Sequence, residues 1–109
     1  MAETRFEQLL SFLEKEPNDP FLNYAMAMEY LGKDESEKAF EILQKIAKIN
    51  PDYGATYYHL AKLYLDKNDT ENAEITFKKG IEITKTNKQQ HLLSELQSAY
   101  NEFLFDDLI

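Results

Sequence analysis

Residues 20–53, PFLNYAMAMEYLGKDESEKAFEILQKIAKINPDY, and residues 54–87, GATYYHLAKLYLDKNDTENAEITFKKGIEITKTN, align without a gap at an offset of 34. Nine positions are identical: Tyr24/Tyr58, Ala27/Ala61, Tyr30/Tyr64, Leu31/Leu65, Lys33/Lys67, Glu37/Glu71, Ala39/Ala73, Lys45/Lys79 and Ile49/Ile83. Chance pairing gives about two, so a repeat architecture is the first fold to test. Conservative pairs such as Met26/Leu60, Asp34/Asn68, Ser36/Thr70 and Leu43/Phe77 carry the match through the middle of each unit.

Within a unit the apolar residues recur at helical spacing, Tyr24, Ala27 and Leu31 and then Phe40, Leu43 and Ala47, so each unit is two helices. Between them, Gly32, Asp34 and Ser36 in one unit and Asp66, Asn68 and Thr70 in the other supply turn and N-cap chemistry. Pro51 ends the second helix of the first unit, because the residue before a proline is pushed out of the α region. The four alanines Ala27, Ala39, Ala61 and Ala73 sit where antiparallel helices must approach closely, which a larger side chain would prevent.

This combination of offset and small residues resembles the tetratricopeptide repeat family, firmly over residues 20–87. The positions that the family pattern fills with small, aromatic, alanine, large apolar, small and proline read Ala27, Tyr30, Ala39, Leu43, Ile46 and Pro51 in unit one. In unit two they read Ala61, Tyr64, Ala73, Phe77, Gly80 and Lys85. Ile46 stands where a small residue is expected, which implies a wider or differently angled spacing. Lys85 replaces the proline, so the last helix of unit two is expected to run on. The tryptophan of the pattern is replaced by Asn23 and Tyr57.

A stack of repeats exposes an apolar face at each end and needs caps. Phe6, Leu9, Leu10 and Leu13 form an i, i+3, i+4, i+7 stripe, and Pro17 stands in register with Pro51, so residues 3–19 read as the second half of an incomplete repeat. Downstream, Leu92, Leu93, Leu96, Tyr100, Phe103 and Leu104 make one apolar face of a helix whose other face is polar, with Glu95 and Ser98 where a small residue and an aromatic belong. Residues 88–109 are therefore a capping helix and tail. The resemblance implies an all-α fold, a right-handed solenoid of antiparallel helix pairs forming one domain over residues 1–109. Its six predicted helices span about 3–16, 20–32, 35–49, 54–67, 70–85 and 88–105.

Twelve Lys and Arg against 20 Asp and Glu leave a formal charge of -8, which repels nucleic acid and anionic lipid, and no basic patch offsets it. No cysteine is present, the first residues lack the apolar core of a signal peptide, and no apolar run approaches the ~18 residues of a membrane span, all of which predicts a cytoplasmic protein. His59 and His91 have no second ligand at metal spacing, and the stretch starting at Asp66 places Glu71 and Phe77 where a calcium loop needs Gly and Glu. Carboxylates are abundant on polar faces, and no constellation suggests a perturbed acid or base. No catalytic, metal or cofactor residue is expected, and no cofactor.

In this family the first helices of successive units line a concave surface that takes a peptide or helix. The resemblance assigns this candidate groove to Phe21, Tyr24 and Met28 in unit one and to Tyr58, Lys62 and Leu65 in unit two, with Lys62 meeting an acidic flank of the ligand. The family's clamp for a C-terminal carboxylate is replaced by Tyr24, Met28, His59, Gln89 and Leu93, so a chaperone co-factor role is not supported. The expected function is a non-catalytic adaptor binding an apolar or amphipathic protein segment. The alternative is a self-assembling structural protein. In it Phe105, Leu108 and Ile109 of the tail "FLFDDLI" dock on another chain, whereas the first reading expects them to fold back and cover the last helix pair.

Overall fold

The computed structural model describes residues 3–108, with side chains up to Asp106. Among these residues there are six α-helices and no strand: α1 (Arg5–Lys15), α2 (Pro20–Gly32), α3 (Ser36–Ile49), α4 (Thr56–Asp66), α5 (Thr70–Thr86) and α6 (Gln90–Leu108). The chain divides into two compact units, Met1–Tyr53 and Gly54–Ile109, and the division falls where the first 34-residue repeat ends.

In the first unit, Thr4 is the N-cap of α1. Its hydroxyl accepts from the Glu7 backbone N–H at 3.1 Å and faces the Glu7 carboxylate at 3.1 Å. Leu9, Ala25 and Met26 form the buried centre between α1 and α2, with Phe6, Leu13 and Tyr30 packed against it. Phe6 meets Tyr30 edge to face at 5.5 Å and carries the Lys33 ammonium 3.7 Å above its own ring. The predicted stripe is one residue too wide: Leu10 is 45% exposed. α1 packs chiefly on α2, and its buried edge is the Phe6–Leu9–Leu13 side of the helix.

α2 and α3 meet through Ala27 and Ala39, both fully buried, as the small-residue pattern requires. Asn23, at the tryptophan position, is buried and donates both amide hydrogens, to the carbonyls of Pro17 and Asp19, each at 2.9 Å. Lys45 reaches the same Pro17 carbonyl at 3.1 Å. Ile46, at the expected small position, is only 2% exposed.

The second unit repeats this design with the volumes exchanged. Ala61 and Ala73 are fully buried, but here Tyr57 replaces Asn23 and Gly80 replaces Ile46. A Cβ on Gly80 would stand 2.5 Å from the Cβ of Tyr57 and 3.1 Å from Leu96, so the glycine lets α5 approach α4 closely at Tyr57. α5 has 17 residues against 14 for α3 and runs through Lys85 to Thr86, the continuation that loss of the proline predicted.

Three helices close in the same way. The N–H groups of Glu35, Asp69 and Gln89 return to the carbonyls of Tyr30, Tyr64 and Thr84, each at 2.9 Å. The preceding residues, Asp34, Asn68 and Lys88, hold φ near 60° and donate to Leu31, Leu65 and Lys85. These are Schellman ends, and Asp and Asn tolerate the left-handed conformation better than Lys does. The next helix after Asn68 is capped by Asp69, whose carboxylate accepts from the Asn72 N–H at 3.2 Å, rather than by Thr70. The 3.6-residue periodicity could not separate two adjacent capping residues.

Candidate functional site

The second unit carries a groove of about 370 Å³ between α4, the start of α5 and the second half of α6. Leu65, Ala99 and Phe103 form its half-buried apolar floor, and Lys62, Thr70, Glu102 and Asp106 its exposed rim. The fully buried Phe77 lies beneath. Its ring is 5.7 Å from Tyr100 and 5.9 Å from Phe103, which stack on each other at 6.2 Å. This aromatic trio fixes α6 against α5, and the Tyr100 hydroxyl adds a long hydrogen bond to Glu74 at 3.4 Å. A second depression, lined by Tyr58, Glu95, Ser98 and Glu102 among others, shares Ala99 and Glu102 with the first.

Of the six residues assigned to a groove, Tyr58, Lys62 and Leu65 lie one turn apart on α4 and line these depressions. The Lys62 ammonium sits 5.3 Å from the centre of the Tyr58 ring, and Tyr58 packs edge to face on His59 at 5.2 Å. Phe21, Tyr24 and Met28 lie on α2 in the first unit. There Phe21 is 62% exposed, Met28 half-buried, and the Tyr24 ring 6.1 Å from Tyr53.

The α6 contribution was not expected. Ala99, Glu102, Phe103 and Asp106 line the groove, although the polar side of this helix reads in the sequence as a solvated cap. The signal available was Ala99, a small residue directly between Ser98 and Tyr100 on a helix that otherwise presents large apolar residues to its neighbours.

The tail differs from its expectation too. α6 continues through Leu108, so Phe105 does not fold back. It stands 62% exposed on the helix. Leu104 is 38% exposed, because by that position the helix has turned past the Phe103–Phe77 contact. The Leu108 side chain and Ile109 lie outside the described residues.

Burial lowers the His59 pKa below the usual 6.5, with Glu95 pulling the other way and Lys62 adding to the fall. The folded chain therefore binds this proton less readily than the unfolded one. Stability from this source is complete above about pH 6.5 and is lost as pH falls through the lower folded value. In urea titrations at about pH 7.5 and 5.5, wild type should lose more stability on acidification than His59→Gln; equal losses would refute the assignment.

Among the described residues no cluster of three His, Asp or Glu side chains is placed to hold a metal, and no helix is long and apolar enough to cross a membrane. A family model for the tetratricopeptide repeat matches residues 30–96. The chain is 40% identical to a tetratricopeptide repeat domain protein from Salinibacter ruber whose crystal structure superposes with a TM-score of 0.76, covering 78% of this chain and 94% of that one. A solution structure of a tetratricopeptide repeat domain protein from the same organism gives 40% identity, coverage of 80% and 88%, and a TM-score of 0.73. A Bordetella parapertussis protein, 18% identical, shares the fold with a TM-score of 0.77 over 97% of this chain and 92% of its own. No curated protein matches the sequence.

Proposed function

The chain belongs to the tetratricopeptide repeat family, whose fold generally mediates protein–protein contact, and on that footing we propose that it is a non-catalytic adaptor. Its ligand is an apolar or amphipathic segment of another protein. The observation that carries this reading is the groove over Leu65 and Phe103. It is concave, floored by apolar atoms and rimmed by a few polar ones, the ordinary form of a segment-binding site. The same reading has the protein act in the cytoplasm, without cofactor or metal, on protein rather than nucleic acid or lipid, and the charge of -8 supports it.

The test is affinity capture from a lysate of the source organism, read by mass spectrometry. The double variant Tyr58→Ala, Leu65→Ser should lose the partners that wild type retains while its far-UV circular dichroism stays unchanged. Identical capture by the two proteins would overturn the proposal.

A second reading, self-assembly through the end of α6, is favoured by the exposure of Phe105 beside Leu104. Light scattering should then show an oligomer that Phe105→Ser dissociates. A wild-type monomer at high concentration excludes this alternative.

A further inference from the structure

We infer that the groove of the second unit selects a cationic amphipathic segment, one that places a bulky apolar side chain over Leu65 and Phe103 and a lysine or arginine against Glu102 and Asp106. The inference rests on the proposed adaptor reading and adds the chemistry of the partner.

Three observations carry it. The first is the balance of charge at the rim. Among the described residues Lys62 is the single cation lining this groove, and its ammonium is already drawn to the Tyr58 ring. Glu102 and Asp106 make no ion pair among the described residues, and Glu95 continues the acidic edge into the adjoining depression. A carboxylate approaching Lys62 would also approach Glu102 and Asp106. An acidic flank on the ligand, the arrangement suggested by Lys62 alone, is therefore disfavoured.

The second is the position of the two carboxylates on their own helix. Glu102 and Asp106 are four residues apart, so their side chains are neighbours on the α6 surface and repel. Asp106 also stands in the last turn of the helix, where the macrodipole is negative, and that turn holds no basic residue to offset it. Both local rules are broken at one place. A cation supplied from outside relieves both at once, and the rim gains more from a positive partner than its formal charge alone indicates.

The third is the pairing of this rim with an apolar floor. An acidic surface by itself attracts any cation loosely, whereas Ala99 opens space over Phe103 and Leu65 for a side chain of defined size. The charge of the whole chain acts in the same direction at longer range, drawing cationic segments in and slowing anionic ones.

The probe is a pair of acetylated, amidated peptides with the same Leu-Phe centre, one flanked by lysines and one by glutamates. Each is titrated into the 15N-labelled 109-residue chain and followed by amide shifts. The lysine peptide should move the amides of Leu65, Ala99 and Phe103 and bind about ten-fold or more tightly than the glutamate peptide. That advantage should shrink as salt rises from about 50 to about 500 mM. It should also fall to less than about three-fold in the variant Glu102→Gln, Asp106→Asn. Equal binding of both peptides in the groove, or tighter binding of the glutamate peptide, overturns the charge inference and leaves the adaptor reading standing. If neither peptide moves these amides, the groove reading fails and takes the inference with it.

Discussion

Replacing Gly80 by isoleucine, the residue that Ile46 places at the equivalent point of the first unit, should destabilise the chain by about 3 kcal/mol. The new Cβ would stand 2.5 Å from the Tyr57 Cβ, an atom one bond from the backbone of α4. No side-chain rotation can clear it, so α4 and α5 must separate. Tyr57→Asn alone should also be costly, by about 3 kcal/mol, because it empties a site in which the ring is 3% exposed. Asparagine keeps the Cβ that the new side chain strikes, so the double variant relieves only the crowding against the ring, whose Cγ would stand 3.1 Å away, and should be more stable than the sum of the single effects predicts by about 1 kcal/mol. Urea denaturation of the four proteins measures this directly. Strict additivity would show that the two positions do not compensate each other.

Phe77→Ala is the second large effect. The ring is fully buried and is the common neighbour of Tyr100 and Phe103, so its loss removes a core side chain and the contact that fixes α6. A cost of about 3–5 kcal/mol is expected, which lowers the melting temperature by about 15–30 °C in a domain of this size. The loss of α6 contact should also appear as faster amide exchange along Leu96–Phe103 than along α4. Phe77→Leu, which keeps most of the volume, should recover more than half of the loss. A variant no less stable than wild type would contradict the packing described above.

The helices were legible because periodicity and punctuation agree. Apolar spacing sets each helix, and Pro51, Asp34 and Asn68 mark the stops. The run-on of α5 was legible from a single residue, Lys85 in place of proline. What the repeat register could not reach was the environment of residues outside the repeats. Leu10 and Leu104 fit an apolar stripe equally well whether or not a neighbouring helix arrives to cover them, and none covers either fully. The groove was half legible for the same reason. Tyr58, Lys62 and Leu65 follow from register on α4, but α6 departs from the repeat pattern at Glu95 and Ser98, so no register predicts which of its residues face α4.

The exchange of volume between the two units has a consequence for how such a chain can diversify. A helix moved singly from one unit to the other would carry Asn23 to Gly80, leaving a void, or Tyr57 to Ile46, producing a clash. Moved as a hairpin, each helix keeps the counterpart that fits it. Shuffling, duplication and design on this scaffold are thus confined to whole hairpins as the heritable piece, even though the individual helices look interchangeable when the repeats are aligned.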